Sequence, residues 1–500
     1  MPIAKDDKKF PPKEPARPSG GDQSPIEKRP PIVVVVGHVD HGKTKLLDYI
    51  RKTNIVDKEA GGITQSIGAY EIVHNGQRIT FIDTPGHEAF SKMRIRGAHI
   101  ADVGILVVAA DESVKPQTKE ALKALQDSGT PFVVAITKID KPNINIEKVK
   151  GDLASIGVSV EGFGGNVSFQ GVNSKEGTGI NELLDLILLT ADMEELKYNP
   201  EAPAKGVVLE AKMEPKRGNT VTIILEEGKL KKGDLIATAT ANGKIKILEN
   251  FLGKASDELL PSSPAVILGF ENLPQIGEEF VTGEAAEALI NAPDKIGAKK
   301  VFTEDKKDNK SVKVIVKADV AGSLEAIVDL LTNTQLKDGK RLIFINQGVG
   351  EISDGDVKDA IASQATIIGF RTSINKAAEN LARVHDISIL TDEIIYKLIE
   401  KLEEAIFEAK EKAAETELEV LAVFNSKANK QTIGGVVNRG HMRIKAVPEI
   451  RRDEQVLGTG KVISLQQGKK ETNSVGAGNE CGLILESDVK IAVGDKLLLK

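Results

Sequence analysis

Five hundred residues exceed what one hydrophobic core organises, so three or four domains are expected; 40% hydrophobic and 28% charged content is ordinary for a globular protein. The single cysteine, Cys481, excludes a disulfide framework and a cysteine-based zinc site, and fits a reducing compartment. No apolar run approaches the ~20 residues of a membrane span, no signal-peptide core opens the chain, and a net charge of −6 argues against bulk attraction to nucleic acid; a cytoplasmic protein with no membrane and no DNA partner is expected.

Residues 1–30 mix Pro11-Pro12, Pro15, Pro18 and Ser19-Gly20-Gly21 with charged residues. That composition buries too little apolar area to offset ordering, and predicts a disordered tail. From 31 to 195, apolar runs alternate with amphipathic stretches such as Lys115–Asp127. The runs are Ile32–Val36, Arg78–Asp83, Val103–Ala109, Phe132–Ile136 and, more weakly, Asn166–Phe169. This order predicts a doubly wound, mostly parallel α/β sheet with ligand loops at the strand C-termini.

The motifs fall at those ends. Gly37-His38-Val39-Asp40-His41-Gly42-Lys43-Thr44 fits G-x-x-x-x-G-K-[ST] between a strand and a helix, the context of a phosphate-binding P-loop. Its glycines let backbone N–H groups wrap a polyphosphate; Lys43 reaches the β- and γ-phosphates, and the Thr44 hydroxyl can ligate Mg²⁺. His38 and His41 are read as packing within the loop. Asp83-Thr84-Pro85-Gly86-His87 ends the next parallel strand. Asp83 can hold Mg²⁺ and the Gly86 N–H can meet a γ-phosphate. Thr64, in Gly61-Gly62-Ile63-Thr64-Gln65, can complete the Mg²⁺ shell. In Thr137-Lys138-Ile139-Asp140, the Asp140 carboxylate can accept from the ring N–H and exocyclic amine of guanine, a pattern adenine does not offer. Asn173-Ser174-Lys175 can support the base through backbone N–H groups. GTP is therefore the expected substrate, with Mg²⁺.

Beyond a linker at 196–204, short strands separated by glycine turns predict a small β-barrel over 203–300, with a helical connector at Thr282–Ile296. Val312–Lys317 and the amphipathic Ser323–Leu331 open an α/β/α unit over 311–390. Gly348-Val349-Gly350 within it reads as a turn. Thr391–Ala414 predicts one long linking helix of roughly 35 Å, with Ile394, Ile395, Leu398, Ile399, Leu402 and Ile406 as its apolar stripe. Strand runs from Glu417 to Leu499 predict a second β-barrel over 416–500.

The two-histidine P-loop, Gly61–Gln65 and Asp83–His87 resemble the translational GTPases. The wording of Glu59–Tyr70, Ile315–Ala326, Gly348–Ile352 and Glu480-Cys481-Gly482 resembles the bacterial translation initiation factor 2 family. The resemblance runs from residue 31 to nearly the end of the chain. It implies a multidomain fold: a P-loop GTPase domain, two small β-barrels, an α/β/α sandwich domain and a long linking helix. It implies hydrolysis of GTP to GDP and phosphate on the ribosome, with His87 orienting the attacking water. Its implied partners are the ribosome (30S and 50S subunits) and initiator formylmethionyl-tRNA, whose aminoacyl end the last barrel holds around Glu480, Cys481 and Gly482. A monomer is expected.

Three sites depart from the family. Thr137 stands where asparagine is usual, so contacts to the base and the P-loop are expected to weaken while Asp140 keeps guanine specificity; Asn-Ser-Lys also replaces the usual Ser-Ala-Lys. Ser464-Leu465-Gln466-Gln467-Gly468 stands where S-L is commonly followed by K-R-F, losing two cations and an aromatic. Lys469, Lys470, Arg439, Arg443, Arg451 and Arg452 remain as RNA-contact candidates. Two alternatives stay open: a nucleotide-tuned binding module in which hydrolysis is not essential, and a specialised tRNA-delivery GTPase.

Overall fold

The structure, a computed structural model, describes residues 26–52, 68–291, 311–334, 341–413, 416–427, 429–453, 455–468 and 470–499. Most of the predicted tail, the Gly61–Gln65 segment with Thr64, and Lys469 lie outside the described residues. The described chain divides into two compact units.

The first unit begins with β1 (Glu27–Lys28), which pairs with β8 (Lys197–Tyr198). Residues 26–30, which composition assigned to the tail, are thus built into the fold. Arg29 pairs with Asp102 at 2.5 Å, and Asp102 also accepts the Ile32 N–H at 2.8 Å. This fork sets the start of β2 (Ile32–Gly37), followed by α1 (Lys43–Arg51), β3 (Gly68–His74), β4 (Gln77–Asp83), α2 (Ser91–Ile100) and β5 (Val103–Ala109). Next come α3 (Pro116–Ser128), β6 (Phe132–Thr137), α4 (Ile146–Ser155), β7 (Phe169–Gly171) and α5 (Ile180–Met193). The strand order is β3-β4-β2-β5-β6-β7, parallel except for the β3–β4 hairpin. Neighbours β4 and β5 lie on opposite sides of β2, so the switch point falls at the end of β2, where the P-loop begins.

Strand alternation splits the core. Val34, Val36, Leu106 and Val108 face one layer with Leu122, Leu125 and Leu153; Val33, Val35, Ile105 and Val107 face the other with Leu46, Leu47, Leu183 and Ile187. Each fully buried side chain of this size contributes roughly 1.5–3 kcal/mol. β7 begins later than the Asn166–Phe169 run because 160 and 167 meet only as an isolated bridge.

A closed six-stranded barrel comes next, from β9 (Lys205–Glu214), β10 (Gly218–Glu227), β12 (Leu235–Ala237), β13 (Asn242–Asn250), β15 (Pro264–Phe270) and β16 (Glu279–Thr282), around Val208, Ile223, Ile236, Ile267 and Phe280. The short strands β11 (Leu230–Lys231) and β14 (Glu258–Leu259) pair beside it. Its Ser262 carbonyl accepts from Thr80 of β4 at 2.5 Å. Helix α6 (Gly283–Ile290) forms the first part of the predicted connector, whose residues 292–296 lie outside the described residues.

Helix α7 (Ala321–Asn333) lies against both neighbours. The buried Glu210 of β9 accepts the N–H groups of Gly322 (3.0 Å) and Ala211 (2.9 Å) through Oε1. From α2, Arg96 grips Glu325 with two contacts of 2.6 and 2.7 Å, and Lys92 pairs with Asp329 at 2.6 Å. Strands β17 (Ser311–Ala318), β18 (Arg341–Val349) and β19 (Thr366–Phe370), with helices α8 (Asp354–Ser363) and α9 (Lys376–Val384), complete this α/β region. Gly350 has φ 103°, so the Gly348–Gly350 turn begins only after β18 has run through Val349.

In the second unit, β20 (Ile389–Asp392) precedes α10 (Ile395–Ala413). The predicted helix began at Thr391; it starts later because Asp392 ends a strand, accepts the Ile394 N–H at 2.9 Å and pairs with Lys401 at 2.7 Å. Nineteen residues give about 28 Å, shorter than the expected 35 Å. The last strands are β21 (Thr416–Lys427), β22 (Lys430–Arg439), β23 (His441–Arg443), β24 (Glu449–Arg452), β25 (Gln455–Thr459), β26 (Lys461–Gln467), β27 (Lys470–Glu471), β28 (Ser474–Gly476), β29 (Glu480–Glu486) and β30 (Lys496–Leu499). Eight of them form one sheet, ordered β25-β24-β30-β21-β22-β29-β26-β27. It curls around Leu418, Ile433, Leu483 and Leu497, and residues 445–448 hydrogen-bond β26 through Lys445 N–H to Val462 O (2.8 Å) and its return bond to Ala446 O (2.9 Å).

Burial raises the Glu210 carboxyl from 4.5 to about 7, against the two N–H donors that lower it. A raised folded value makes its contribution complete below pH 4.5 and lost as pH rises through 7. Glu210→Gln, which mimics the neutral acid, should be more stable than the parent above pH 7 by up to roughly 3 kcal/mol, the gain vanishing towards pH 4.5. Guanidinium unfolding from pH 4.5 to 8 measures this; parallel curves for the two proteins would reject the coupling.

Candidate functional site

At the C-terminal edge of the first sheet, the P-loop and three strand-end loops surround a cavity of about 360 Å³. Its lining includes Val39, Asp40, Gly42, Lys43 and Thr44, then Gly86 and His87, then Thr137, Lys138 and Asp140, and finally Asn173, Ser174 and Lys175. The four described motifs therefore converge on one cleft. Gly37, His38 and His41 form the loop behind it, and Asp83, Thr84, Pro85 and Ile139 belong to the same loops but do not line the cavity.

The phosphate end is built around Lys43, the first residue of α1. Its ammonium donates to the His38 carbonyl at 2.8 Å. Burial lowers its proton affinity below that of an ordinary lysine, and Asp83 opposes the shift. A Cβ at Gly86 would meet this ammonium, the movable end of the lysine, and stand 3.1 Å from the Val39 backbone nitrogen, so the Asp83–His87 loop lies close against the P-loop. Asp83, at the end of β4, lies 3.5 Å from Arg51, which itself stacks over Tyr70 at 3.9 Å. Asp40 and Lys138, on facing loops of the cleft, hold left-handed backbone conformations (φ 62° and 59°) unusual for non-glycine residues.

His87 is half-buried, and burial, followed by the Arg94 charge, lowers its pKa, so the ring is neutral at pH 7. Arg94 itself is almost fully buried. It donates to the carbonyls of Pro85 (3.1 Å) and His87 (2.5 Å) and pairs with Glu120 of α3 at 2.6 Å. Sequence reasoning missed Arg94; an arginine on a helix reads as solvated until the fold buries it. It also missed Gln117, whose Oε1 accepts the Val39 N–H at 3.1 Å, and the cavity-lining Lys45 and Lys141.

At the base end, Lys175 sits 2.9 Å from Asp140, and this hydrogen bond holds the Asp140 carboxyl below the usual range. Asn173 Oδ1 accepts the Lys175 N–H at 3.0 Å, shaping the support loop. The Thr137 hydroxyl, fully buried, donates to the His41 carbonyl at 2.5 Å. At this position the shorter side chain keeps a bond to the P-loop.

In the second unit, β29 carries Glu480, Cys481 and Gly482 between β22 and β26. Gly434, Gly482 and Gln466 form one cross-strand row, and the largely exposed Phe424 lies beside Gly434. Cys481 is buried in the sheet core and burial pushes its thiol up to about 11, the state of a wall residue. Of the RNA-contact candidates, Arg451 and Arg452 pair with Glu449 (3.0 Å) and Asp495 (2.7 Å), whereas Arg439, Arg443 and Lys470 are exposed.

Family models match three stretches: the elongation factor Tu GTP binding domain at residues 28–192, elongation factor G domain 2 at 203–283, and translation-initiation factor 2 at 287–403. Together with the cleft, they make the chain a translational GTPase, an enzyme that hydrolyses GTP. Over 500 residues it is 39% identical to translation initiation factor IF-2 of Rubrobacter xylanophilus, covering 96% of this chain and 72% of that one. It is 40% identical to the factor of the same name from Dehalococcoides mccartyi, covering 94% and 82%. The chain belongs to the translation initiation factor IF-2 family. Among solved structures it is similar to GDP-bound aIF5B from Aeropyrum pernix, 27% identical, TM-score 0.46, over 94% of this chain and 92% of that one. Among the described residues no helix is long and apolar enough to cross a membrane.

Thr137→Val keeps the shape and removes the donor to the P-loop. A lost buried hydrogen bond of about 1 kcal/mol should weaken GDP binding about fivefold. Fluorescent-GDP titration checks this, with unchanged affinity showing that the bond does not hold the loop.

Proposed function

We propose that this chain is a GTP-timed initiation factor that places initiator formylmethionyl-tRNA and promotes joining of the 30S and 50S ribosomal subunits. The observation that carries the GTPase reading is one cleft with a phosphate end at Lys43, Thr44, Gly86 and His87 and a base end at Thr137, Asp140 and Ser174. Lys43 meets the β- and γ-phosphates, and its lowered proton affinity returns to the charged range once they are beside it. Thr44 and Asp83 offer a hydroxyl and a carboxylate, the hard oxygen donors Mg²⁺ prefers, and would hold that ion; Thr64 would join them. When bound, Mg²⁺ supplies charge neutralisation at the β- and γ-phosphates.

Neutral His87 has a lone pair with which to hold a water in line with the γ-phosphate, and Arg94 fixes its backbone. Asp140 selects guanine by accepting from its N–H donors once Lys175 moves aside. Loss of the γ-phosphate frees the Asp83–His87 loop, and α2 passes the change to α7 through Arg96, Lys92, Glu325 and Asp329. In the last domain, the row of Gly434, Gly482 and Gln466 beside Phe424 supports a shallow seat for an aminoacyl end. The absence of the family's cations at Gln466 and Gln467 supports weaker phosphate contact there. The division assumed is a G domain over 31–195 preceded by the paired segment at 26–30, a barrel over 203–300, an α/β/α domain over 311–390, a linking segment over 391–415 that carries α10, and a last barrel over 416–500, acting as a monomer in the cytoplasm.

Hydrolysis of labelled GTP by the purified protein should be slow alone and strongly stimulated by ribosomes, with ATP inert. Equal rates with and without ribosomes would reject the timing role. His87→Ala should leave GTP affinity within about twofold and lower the stimulated rate at least 100-fold; a stimulated rate like the parent's removes His87 from the mechanism.

A further inference from the structure

The rings of His38 and His41 meet edge to face behind the P-loop, with centroids 4.9 Å apart. His41 is fully buried. Its Nδ1 lies 3.4 Å from the Val107 carbonyl, which assigns the proton to that nitrogen and leaves a lone pair on Nε2. Burial holds this ring neutral, near pKa 4. Among the described residues, both Nε2 of His41 and Nδ1 of His38 are buried without a hydrogen-bond partner. Buried polar atoms are normally satisfied, by protein, water or an ion, so two orphaned imidazole nitrogens in one place mark a spot that can take a ligand. The third member is Glu112, in the loop after β5. One nitrogen of each ring and one Glu112 oxygen all lie within 4.8 Å of one another.

We propose that His38, His41 and Glu112 form a binding site for a divalent transition ion of the zinc class, separate from the Mg²⁺ position at Thr44. Two neutral imidazoles and one carboxylate form a donor set suited to Zn²⁺, whereas Mg²⁺ takes oxygen donors and retains its water. Metal–ligand bonds of roughly 2.0–2.2 Å require donors about 3.4 Å apart, so the trio, now within 4.8 Å, must contract by at most about 1.4 Å. Glu112 can supply that movement: its side chain is about one-third exposed and turned to Lys138 at 3.2 Å and Lys115 at 3.6 Å. The charge of those lysines disfavours a cation, and the ion must replace their hold on the carboxylate; affinity should therefore be micromolar, below that of a structural zinc site.

Occupancy would touch the nucleotide cleft at two points. His38 carries the carbonyl that anchors the Lys43 ammonium, and Lys138 lies in the guanine-reading loop. Any effect of the metal on GDP affinity must be matched by an equal effect of GDP on metal affinity.

The test is titration of Co²⁺ into the nucleotide-free full chain in millimolar Mg²⁺, following the visible absorption of low-coordinate Co²⁺. One saturable equivalent is expected, displaced by Zn²⁺ and indifferent to added Mg²⁺. Glu112→Gln should weaken Co²⁺ binding at least tenfold while binding fluorescent GDP as the parent does, which certifies its fold. His41→Gln should abolish the band. No saturable band, displacement by Mg²⁺, or a band unchanged in either variant overturns the proposal.

Discussion

The close approach of β2 to β5 at Gly37 is the constraint on which the site rests. Gly37 pairs with Val107 at the end of the parallel ladder, and its φ is 150°. A Cβ there would stand 2.5 Å from the Val107 carbonyl oxygen. Only glycine lets the chain leave the strand this way and bring the loop back over the strand ends. The same carbonyl meets the His41 ring, so one backbone group both sets the loop's departure and holds its far side. From that fixed curve, Lys43 enters the cleft from the first turn of α1, and Thr137 ties the guanine-reading loop to the His41 carbonyl. Phosphate and base ends are thereby parts of one hydrogen-bonded assembly.

The fixed loop also gives the cleft a mechanical connection to the rest of the first unit. Arg94 holds the carbonyls around His87 from within α2, and two residues along the same helix Arg96 grips Glu325 of α7. The loop at the γ-phosphate end is thus linked by contacts to a helix that also rests on the barrel, through Gly322 and Glu210. These are buried or partly buried charge contacts; truncating one partner leaves the other charge poorly solvated. That physics favours discrete rearrangement of α2 and α7 together over gradual slackening.

Much of this was legible because the signals are local. The strand at Val103–Ala109 begins and ends where its apolar run does, and each nucleotide motif sits in a loop beside its strand. Ends governed by capping were less legible: α10 starts after Asp392 because a side chain there serves both a strand end and a turn. Arg94, Gln117 and Glu210 were invisible for another reason. A charged or amide side chain on a helix or strand is usually solvated, and only distant elements bury or engage these three.

Sequence alone determined the class of protein. Strand periodicity, glycine spacing and the order of motifs specify a nucleotide-binding sheet, since those constraints act over a few residues. It likewise marked Thr137 and Gln466-Gln467-Gly468 as departures. The tertiary structure decided their consequences: the Thr137 hydroxyl finds the His41 carbonyl 96 residues away, and Gln466 joins Gly482 and Gly434 in one row. It also brought His38 and His41 against Glu112, turning two loop-packing histidines into a donor set. Such pairings depend on which strands are neighbours, and strand order is a property of the whole folded chain.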